Sequence, residues 1–448
     1  MSKFLFLQKK MKKFPNALVI MIGFIILSTI LTYIIPQGEY ERFTNPDTNQ
    51  ISVVQGSYKS VNAEPVSILK MLLSIPEGVV SRSSLITLIL LIGGCFYVIE
   101  KTGALKEGIA FLTVKLQGKE EIVLIIVSII FLVGGATMGL QEEIIAMMPV
   151  LLYLTSRLGY NAFVAIGISF GSAIVGAAFS PMNPFAVVIA QKETGLEFLS
   201  GSGFRLIVLA IAFVVWMFMI IRYANKNKIE KLVETDEVVE KVSIRSAIIL
   251  CLVGVAFVIL VIGMLNYNWD FNEMSAEFFA LGILVGLIGK LGVNGTIETY
   301  IEGFKELVFA AMIVGFASSI SIILKEGMVI DTIIYGLFTP MQYLPKSLAA
   351  VSMMVSQSLL HFPVSSYSGQ AILTMPILAP LSDLMGISRQ VCVLAYQYGA
   401  VMTDMIYPTQ GALMAIIAIA GIPFDKWLKF ILKFTLVILS VGAIAIVI

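Results

Sequence analysis

The sequence predicts an all-α polytopic membrane protein that contains two inverted repeats. Of its 448 residues, 58% are hydrophobic and 13% are charged, whereas soluble domains carry about 25% charged residues. Apolar stretches of about 20 residues, the length that an α-helix needs to cross a bilayer, recur along the chain. Polar or glycine-rich breaks interrupt four of these stretches, at 134–143, 180–184, 361–370 and 403–411. A shift of 227 residues places the first two breaks on the last two.

The 227-residue repeat depends mainly on helix-breaking residues. The shift needs no gap, and it aligns Met148 with Met375, Pro149 with Pro376, Leu151 with Leu378, Gly159 with Gly386 and Pro181 with Pro408. Chance similarity is the alternative, because apolar helices use few residue types and match easily. The common spacing of three helix breakers favours a true internal repeat.

The first 119 residues predict two membrane spans with a long external segment between them. Five lysines precede the first apolar stretch and place the N-terminus in the cytoplasm by the positive-inside rule. No small-residue cleavage site follows that stretch, so it is predicted to be an uncleaved span. In order, we predict span 1 (16–36), a polar external segment (37–65), an amphipathic surface helix (66–82), span 2 (84–100) and a lysine-rich cytoplasmic connector with another amphipathic helix (101–119).

Residues 120–157 are apolar on both sides of the break at 134–143. A single span would put this break at mid-depth, where irregular backbone is tolerated only against protein or a water-filled cavity. We therefore predict a re-entrant hairpin whose tip lies at 135–142 and which returns to the cytoplasm at Arg157. A broken span 3 (161–191, interrupted at 180–184), span 4 (204–223) and a charged cytoplasmic linker (224–243) follow.

The second half predicts the same elements with the opposite orientation. They are span 5 (244–266), an external loop with an aromatic belt (267–275), span 6 (276–290), span 7 (307–325), an external amphipathic segment (328–342), a hairpin entering from outside (347–384, tip 361–370), a broken span 8 (388–420, interrupted at 403–411) and span 9 (427–448). Nine spans place the C-terminus outside. The two hairpins then enter from opposite faces, an inverted topology that many secondary transporters share.

The four breaks are the candidate binding site. Half-helix N-termini favour anions, and C-terminal ends and unwound carbonyls favour cations, so the breaks suit a zwitterion or a coupling ion. Simple kinks that serve packing are the alternative. The predicted substrate- or ion-binding residues are Thr137, Gln141, Glu142, Glu143, Ser180, Asn183, Ser366, Ser368, Asp404 and Thr409.

Three of these residues are acidic, and none is basic. A carboxylate at membrane depth costs about 3 kcal/mol on insertion scales, so Glu142, Glu143 and Asp404 are expected to face a site or a cavity. This charge pattern favours a cationic ligand or ion. Either glutamate could instead be a residue of a first helical turn, where acids are favoured. His361, the only histidine, is either a proton carrier or a capping and packing residue.

Several other classes of function have little support. Gly167–Gly171 matches the G-x-S-x-G pattern of hydrolases but lies in an apolar helix, where the pattern lacks its strand. No P-loop and no basic patch for nucleic acid is present in the sequence. Cys95, Cys251 and Cys392 lie far apart in apolar stretches and are interpreted as small core residues, neither disulfides nor metal ligands. We expect no enzyme, cofactor or metal, only a coupling Na⁺ or H⁺.

Residues 368–390, from Ser368 to Gln390, resemble the YfcC family of basic amino acid antiporters, which is related to the anaerobic C4-dicarboxylate carriers. Gly134, Gly139 and Glu142-Glu143, together with Asn183-Pro184 and the segment 408–414, fit the same family. Three positions depart from its usual pattern. The second tip reads Val-Ser-Ser-Tyr-Ser where Pro-Ser-Gly-Ser is usual, Asp404 stands for a common Asn, and Gln410 stands for a common Ser.

The resemblance implies an elevator-type transporter of the ion-transporter superfamily. Its moving unit would comprise 105–223 and 328–448, its scaffold 1–104 and 244–327, and 224–243 would link the halves. A homodimer in the inner membrane of a bacterium is implied as well. The combined expectation is a secondary transporter for a basic or zwitterionic amino acid, such as arginine–ornithine exchange. The alternatives are an ion-coupled C4-dicarboxylate carrier of the same fold and a channel, which would need a continuous polar path.

Overall fold

A computed structural model provides the fold and describes residues 17–45, 50–54, 56–115, 119–230, 242–267 and 269–448. The N-terminal lysines and residues 231–241 of the predicted linker lie outside the described residues. The helices of the first half are α1 (Ala17–Ile34), α2 (Ile68–Ser81), α3 (Ser83–Lys101), α4 (Ala104–Lys115), α5 (Glu120–Met138), α6 (Glu143–Arg157), α7 (Ala162–Ile166), α8 (Ser172–Phe179), α9 (Ile189–Glu193) and α10 (Ser202–Lys226). Single π-helical turns at Gly167–Gly171 and Pro184–Val188 continue α7 and precede α9.

The elements of the second half follow in the predicted order. Its helices are α11 (Ile244–Tyr267), α12 (Phe271–Ile288), α13 (Gly292–Glu326), α14 (Ile330–Phe338), α15 (Lys346–Leu360), α16 (Tyr367–Leu384), α17 (Arg389–Met402), α18 (Gly411–Ile419) and α19 (Phe424–Val447), with 3₁₀ turns at Thr339–Tyr343 and Thr403–Met405. Span 7 was predicted too short, since α13 is 35 residues long. Its first half carries polar residues, and the prediction followed apolar residues alone.

Seven helical segments of the described chain are long and apolar enough to cross a membrane. They are Ser83–Lys101, Glu120–Met138, Ala162–Glu193, Ser202–Lys226, Phe271–Ile288, Gly292–Glu326 and Phe424–Val447. Spans 1 and 5 contain shorter apolar helices, Leu18–Ile34 and Ile244–Leu260. Span 8 is divided between α17 and α18, of 14 and 9 residues. Cys251, predicted to be a core residue, is exposed on α11.

The chain is mostly helical, as predicted, but the segment 37–65, predicted only to be polar and external, contains four short strands. β1 (Gly38–Glu39) pairs antiparallel with β4 (Lys59–Ser60), and β2 (Arg42–Asn45) pairs antiparallel with β3 (Gln50–Val53). The strands are too short to show a period of two in the sequence, although Phe and β-branched residues favour them. Arg42 joins this sheet to α14, because its Nη2 lies 2.8 Å from Asp331 Oδ2.

Glycines let helices approach closely where two breaks are built. A Cβ on Gly135 of α5 would lie 2.0 Å from the carbonyl oxygen of Ala173 in α8. A Cβ on Gly399 of α17 would lie 2.2 Å from the carbonyl oxygen of Met354 in α15. Each contact holds one helix of a tip against one half of a broken helix. The tips (139–142 and 361–366) and the interruptions of the two broken helices, called the first break (180–184) and the second break (403–411) from here on, are therefore fixed relative to each other.

Candidate functional site

A cavity of about 300 Å³ lies where both tips meet the helices α3, α12 and α13. This volume is at the lower end of the range for small-molecule sites, about 300–1,000 Å³. Its polar and charged lining comes from both halves of the sequence. These residues are Arg82, Gln141, Glu142, Glu143, Asp270, Ser318, Ser365, Ser366, Tyr367, Ser368, Thr409 and Gln410.

The charges of the lining are mainly acidic. Glu142, Glu143 and Asp270 contribute carboxylates, and Arg82 contributes the one guanidinium of the described lining. Glu143 Oε2 accepts a hydrogen bond from the backbone N–H of Gln141 at 3.2 Å, so this carboxylate stabilises the start of its own helix. Asp270 does the same for α12, accepting the N–H of Phe271 at 2.8 Å. Glu142 is half-buried and remains the carboxylate best placed to meet a ligand.

The second tip and the second break add neutral polar groups. Ser366 begins α16 and accepts the N–H of Gly369 at 3.3 Å. Gln410 reaches across to the first tip, where its Nε2 donates to Gln141 Oε1 at 3.1 Å. The hydroxyl of Thr409 is buried and has no hydrogen-bond partner among the described residues. Such an orphaned buried group calls for an explanation, and a ligand in the cavity would provide one.

A chain of hydrogen bonds leads from the cavity into the protein. Gln141 Nε2 donates to the Tyr367 hydroxyl, which donates in turn to Asp404 Oδ2. His361 Nε2 lies 2.6 Å from Asp404 Oδ1. The other ring nitrogen, Nδ1, lies 2.7 Å from Gln370 Oε1. Asp404 therefore lies one side chain behind the cavity wall.

The structure places the ten predicted site residues in two layers. Six line the cavity: Gln141, Glu142, Glu143, Ser366, Ser368 and Thr409. Ser180, Asn183, Asp404 and Thr137 lie outside the lining. Ser180 and Asn183 join the first break to α5, since they donate to the carbonyl oxygens of Ala136 and Gly135. The Thr137 hydroxyl donates to Val133 O of its own helix at 2.7 Å.

The family model of the C4-dicarboxylate anaerobic carrier, DcuC, matches residues 14–448. The chain belongs to this family. It is therefore a multi-pass membrane transporter, which implies a bilayer and a small-molecule substrate.

Two curated bacterial proteins are similar to this carrier over nearly its whole length. An uncharacterized protein of Haemophilus influenzae is 30% identical over 98% of this chain and 98% of its own. The Escherichia coli protein named "Putative basic amino acid antiporter YfcC" is 30% identical over 93% of this chain and 92% of its own. The resemblance to the YfcC family is thereby confirmed.

Two solved structures are more distant neighbours of this carrier. MtrF of Neisseria gonorrhoeae, described as illuminating a class of antimetabolite efflux pumps, is 13% identical, covers 97% of this chain and 95% of its own, and has a TM-score of 0.44. The YdaH transporter of Alcanivorax borkumensis is 13% identical, covers 96% of this chain and 98% of its own, and has a TM-score of 0.42.

Several side chains of the carrier's site were not predicted from the sequence. Arg82 lies between α2 and α3. Its position between two apolar stretches was the sequence feature that could have indicated a role in the site. Trp269 was assigned to an external aromatic belt, but it packs on Gly263 and lines the cavity. Tyr367 and Gln370 follow the second tip, yet nothing in their spacing revealed that they connect the cavity with Asp404 and His361.

Proposed function

We propose that this carrier transports a basic amino acid and that the cavity between the tips binds it. The observation that carries the proposal is the charge of the lining, three carboxylates against one guanidinium. A cationic side chain would pair with Glu142, the carboxylate that does not serve a helix start. The α-carboxylate would meet Arg82, and the Thr409 hydroxyl would donate to it. The name of the Escherichia coli relative supports this substrate class.

A C4-dicarboxylate is the second candidate, because the matching family model carries that name. Arg82 is the feature of the cavity that favours it. Two substrate carboxylates would, however, face Glu142, Glu143 and Asp270 with one guanidinium to offset them. Like charges at short range repel, so this substrate would need bound cations or protons to be accommodated.

The transport step that we propose is an elevator movement of two inverted repeats in the inner membrane of a bacterium. The helix boundaries support the repeat: α6 and α16 end at Arg157 and Leu384, and helical structure resumes after the breaks at Pro184 and Gly411. Both pairs are 227 residues apart. The hairpins α5–α6 and α15–α16 would enter from opposite faces and move with the broken helices against α3, α12 and α13. The N-terminus would lie inside, the C-terminus outside, and two copies would form the scaffold.

Substrate exchange in proteoliposomes tests the proposed function. Wild-type protein and Glu142→Gln are compared for exchange of labelled arginine, ornithine, citrulline and succinate. Loss of one partner of a buried charge pair costs about 2–5 kcal/mol, so arginine affinity should fall by at least about 30-fold. Citrulline has no cationic side chain and should be affected far less.

Glu298→Gln is the matched control, because Glu298 is an exposed glutamate outside the cavity. It should exchange all four solutes as the wild type does. Wild-type protein that carries succinate but no amino acid would refute the proposed substrate. An equal loss of arginine and citrulline in Glu142→Gln would instead remove Glu142 from side-chain recognition.

A further inference from the structure

A histidine and a carboxylate share a fully buried hydrogen bond behind the cavity. His361 Nε2 lies 2.6 Å from Asp404 Oδ1, and both side chains are 0% exposed. Buried ionisable groups are unfavourable unless they are paired, and at membrane depth they mark ion and proton pathways. The pair joins the end of α15 to the turn after α17, so it couples the second tip to the second break.

The neighbours of the histidine determine how many protons the pair holds. Gln370 Nε2 donates to the carbonyl oxygen of Gln357 at 2.8 Å, which leaves Gln370 Oε1 facing His361 Nδ1 as an acceptor. Nδ1 therefore carries a proton. A neutral ring then has only a lone pair on Nε2, and a lone pair facing a carboxylate oxygen is repulsive. The contact with Asp404 is attractive only when a proton lies between Nε2 and Oδ1.

We propose that His361 and Asp404 together hold one exchangeable proton and that this proton is the coupling ion of the carrier. The inference rests on the proposed function, because it assigns the ion of the same transport cycle. Metal cations are held by several oxygen ligands. Both Asp404 oxygens already have other neighbours, the Tyr367 hydroxyl at Oδ2 and the imidazole at Oδ1. The arrangement therefore suits a proton better than Na⁺.

Other ionisable groups surround the pair from three elements. Tyr367 of α16 donates to Asp404, and Tyr396 of α17 and Glu142 of the first tip are close enough to interact with its charge. Tyr396 donates to the carbonyl oxygen of Tyr367 at 2.6 Å and so holds the backbone of the second tip. The positive charge of Arg82 attracts the Glu142 carboxylate, whereas the negative charge of Asp404 repels it. Loss of the proton therefore adds a negative charge beside a cavity that is already acidic.

This placement makes a proton and a cationic substrate compete. Tyr367 lines the cavity and donates to Asp404, so one side chain separates the two sites. A cation in the cavity is attracted more strongly when the pair has lost its proton. By linkage, the pair then binds the proton less well when the substrate is present. Competition of this kind produces exchange of one proton for one basic amino acid.

Proton and substrate movements can be measured in the same vesicles. Wild-type carrier is reconstituted with a pH-sensitive dye inside, and net uptake of labelled arginine or succinate into vesicles that initially contain neither is followed together with internal pH. Inward arginine movement by the wild type should raise the internal pH. Arginine affinity should rise with pH, by up to roughly tenfold per pH unit while one proton competes with the substrate, and then level off.

Asp404→Asn removes the carboxylate, so the pair can no longer become negatively charged. It should retain arginine counterflow with reduced affinity, move no protons and show no dependence of affinity on pH. His361→Gln is the second variant, because its amide can donate to Asp404 and leave the carboxylate charged. It should also lose proton movement, with an affinity that is high and independent of pH. Asp383→Asn, at an exposed ion pair with Arg389, is the matched control and should behave as the wild type.

The outcomes separate this inference from the proposed function. Net arginine uptake by the wild type without proton movement overturns the inference and leaves the proposed function intact. Proton movement retained in Asp404→Asn, or in His361→Gln if the first variant does not fold, overturns it as well. If the wild type moves succinate and not arginine, the proposed function fails. Protons that accompany succinate in the wild type but not in Asp404→Asn would then still support the site, and protons in both would overturn it.

Discussion

Thr409 connects stability and binding at a single residue. Its hydroxyl is buried without a partner among the described residues, and such a group costs about 1–3 kcal/mol. Thr409→Val has nearly the same shape and removes the hydroxyl. We expect the variant to unfold at the same or a higher temperature and to bind substrate about tenfold more weakly, the equivalent of one hydrogen bond of about 1.4 kcal/mol. Thermal unfolding in detergent and arginine exchange measure the two effects.

Thr435→Val is the matched control for this prediction. Its hydroxyl donates to Ile431 O of the same helix at 3.1 Å, far from the cavity lining. It should leave substrate affinity unchanged. Equal affinities in wild type and Thr409→Val would show that this hydroxyl does not meet the substrate.

At the residue scale, the sequence could predict which polar groups lie near the breaks but not their partners. Acidic residues in apolar stretches are conspicuous, so Glu142, Glu143 and Asp404 were found. Their separation into a cavity residue, a helix-start residue and a buried residue depends on tertiary contacts. Tyr367 and Gln370 could not be assigned, because ordinary polar residues acquire their roles only from the side chains that they meet.

Gly399 shows how an element contact holds the second break. Its helix α17 packs so closely on α15 that a Cβ would lie 2.2 Å from the carbonyl oxygen of Met354. Since backbone cannot move aside easily, Gly399→Ala should lower the free energy of unfolding by about 1–3 kcal/mol. Thermal or denaturant unfolding of the purified protein measures this loss.

Gly254→Ala in the interior of α11 is the matched control, since no atom lies within 4 Å of its Cβ position. Alanine favours helices by up to about 1 kcal/mol over glycine, so this variant should be equally or more stable. A stability of Gly399→Ala equal to that of Gly254→Ala would contradict the close packing of α15 and α17.

At the element scale, glycine and proline made the breaks predictable. Gly139 ends α5 in the left-handed conformation at φ 72°, and Pro184 begins the helix after the first break. Their chemistry is local, so the sequence contains it. The strands between α1 and α2 were missed because their stability depends on pairing between distant segments. The early start of α13 was missed because its first turns are polar and contain glycines, features that indicate a loop rather than a membrane-spanning helix.

The contact between α18 and α13 tests the proposed elevator at the scale of the whole molecule. A Cβ on Gly411 would lie 3.4 Å from the Cβ of Val314, close to disulfide geometry. Val314→Cys with Gly411→Cys, in a protein lacking Cys95, Cys251 and Cys392, should form a cross-link on oxidation. Because the cross-link would join the moving unit to the scaffold, net arginine transport should stop and should return on reduction.

Each single cysteine variant is the control for oxidation alone and should transport arginine with or without oxidant. Full transport by the cross-linked protein would be incompatible with sliding of α18 along α13. Local opening of the tips would then replace the elevator movement as the proposed transport step.

The ion pair of Arg42 with Asp331 limits where the chain could bend in the proposed elevator movement. Gly38 also donates its N–H to Met328 O at 3.0 Å, and the Tyr58 hydroxyl lies 3.0 Å from Thr332 Oγ1. These contacts fasten α14 to the segment between α1 and α2, although the sequence analysis grouped α14 with the second half of the moving unit. A sliding unit that included α14 would have to break them in every cycle. In the proposed elevator, the hinge would therefore lie after α14, in the turn 339–345, and the moving part of the second half would begin with α15.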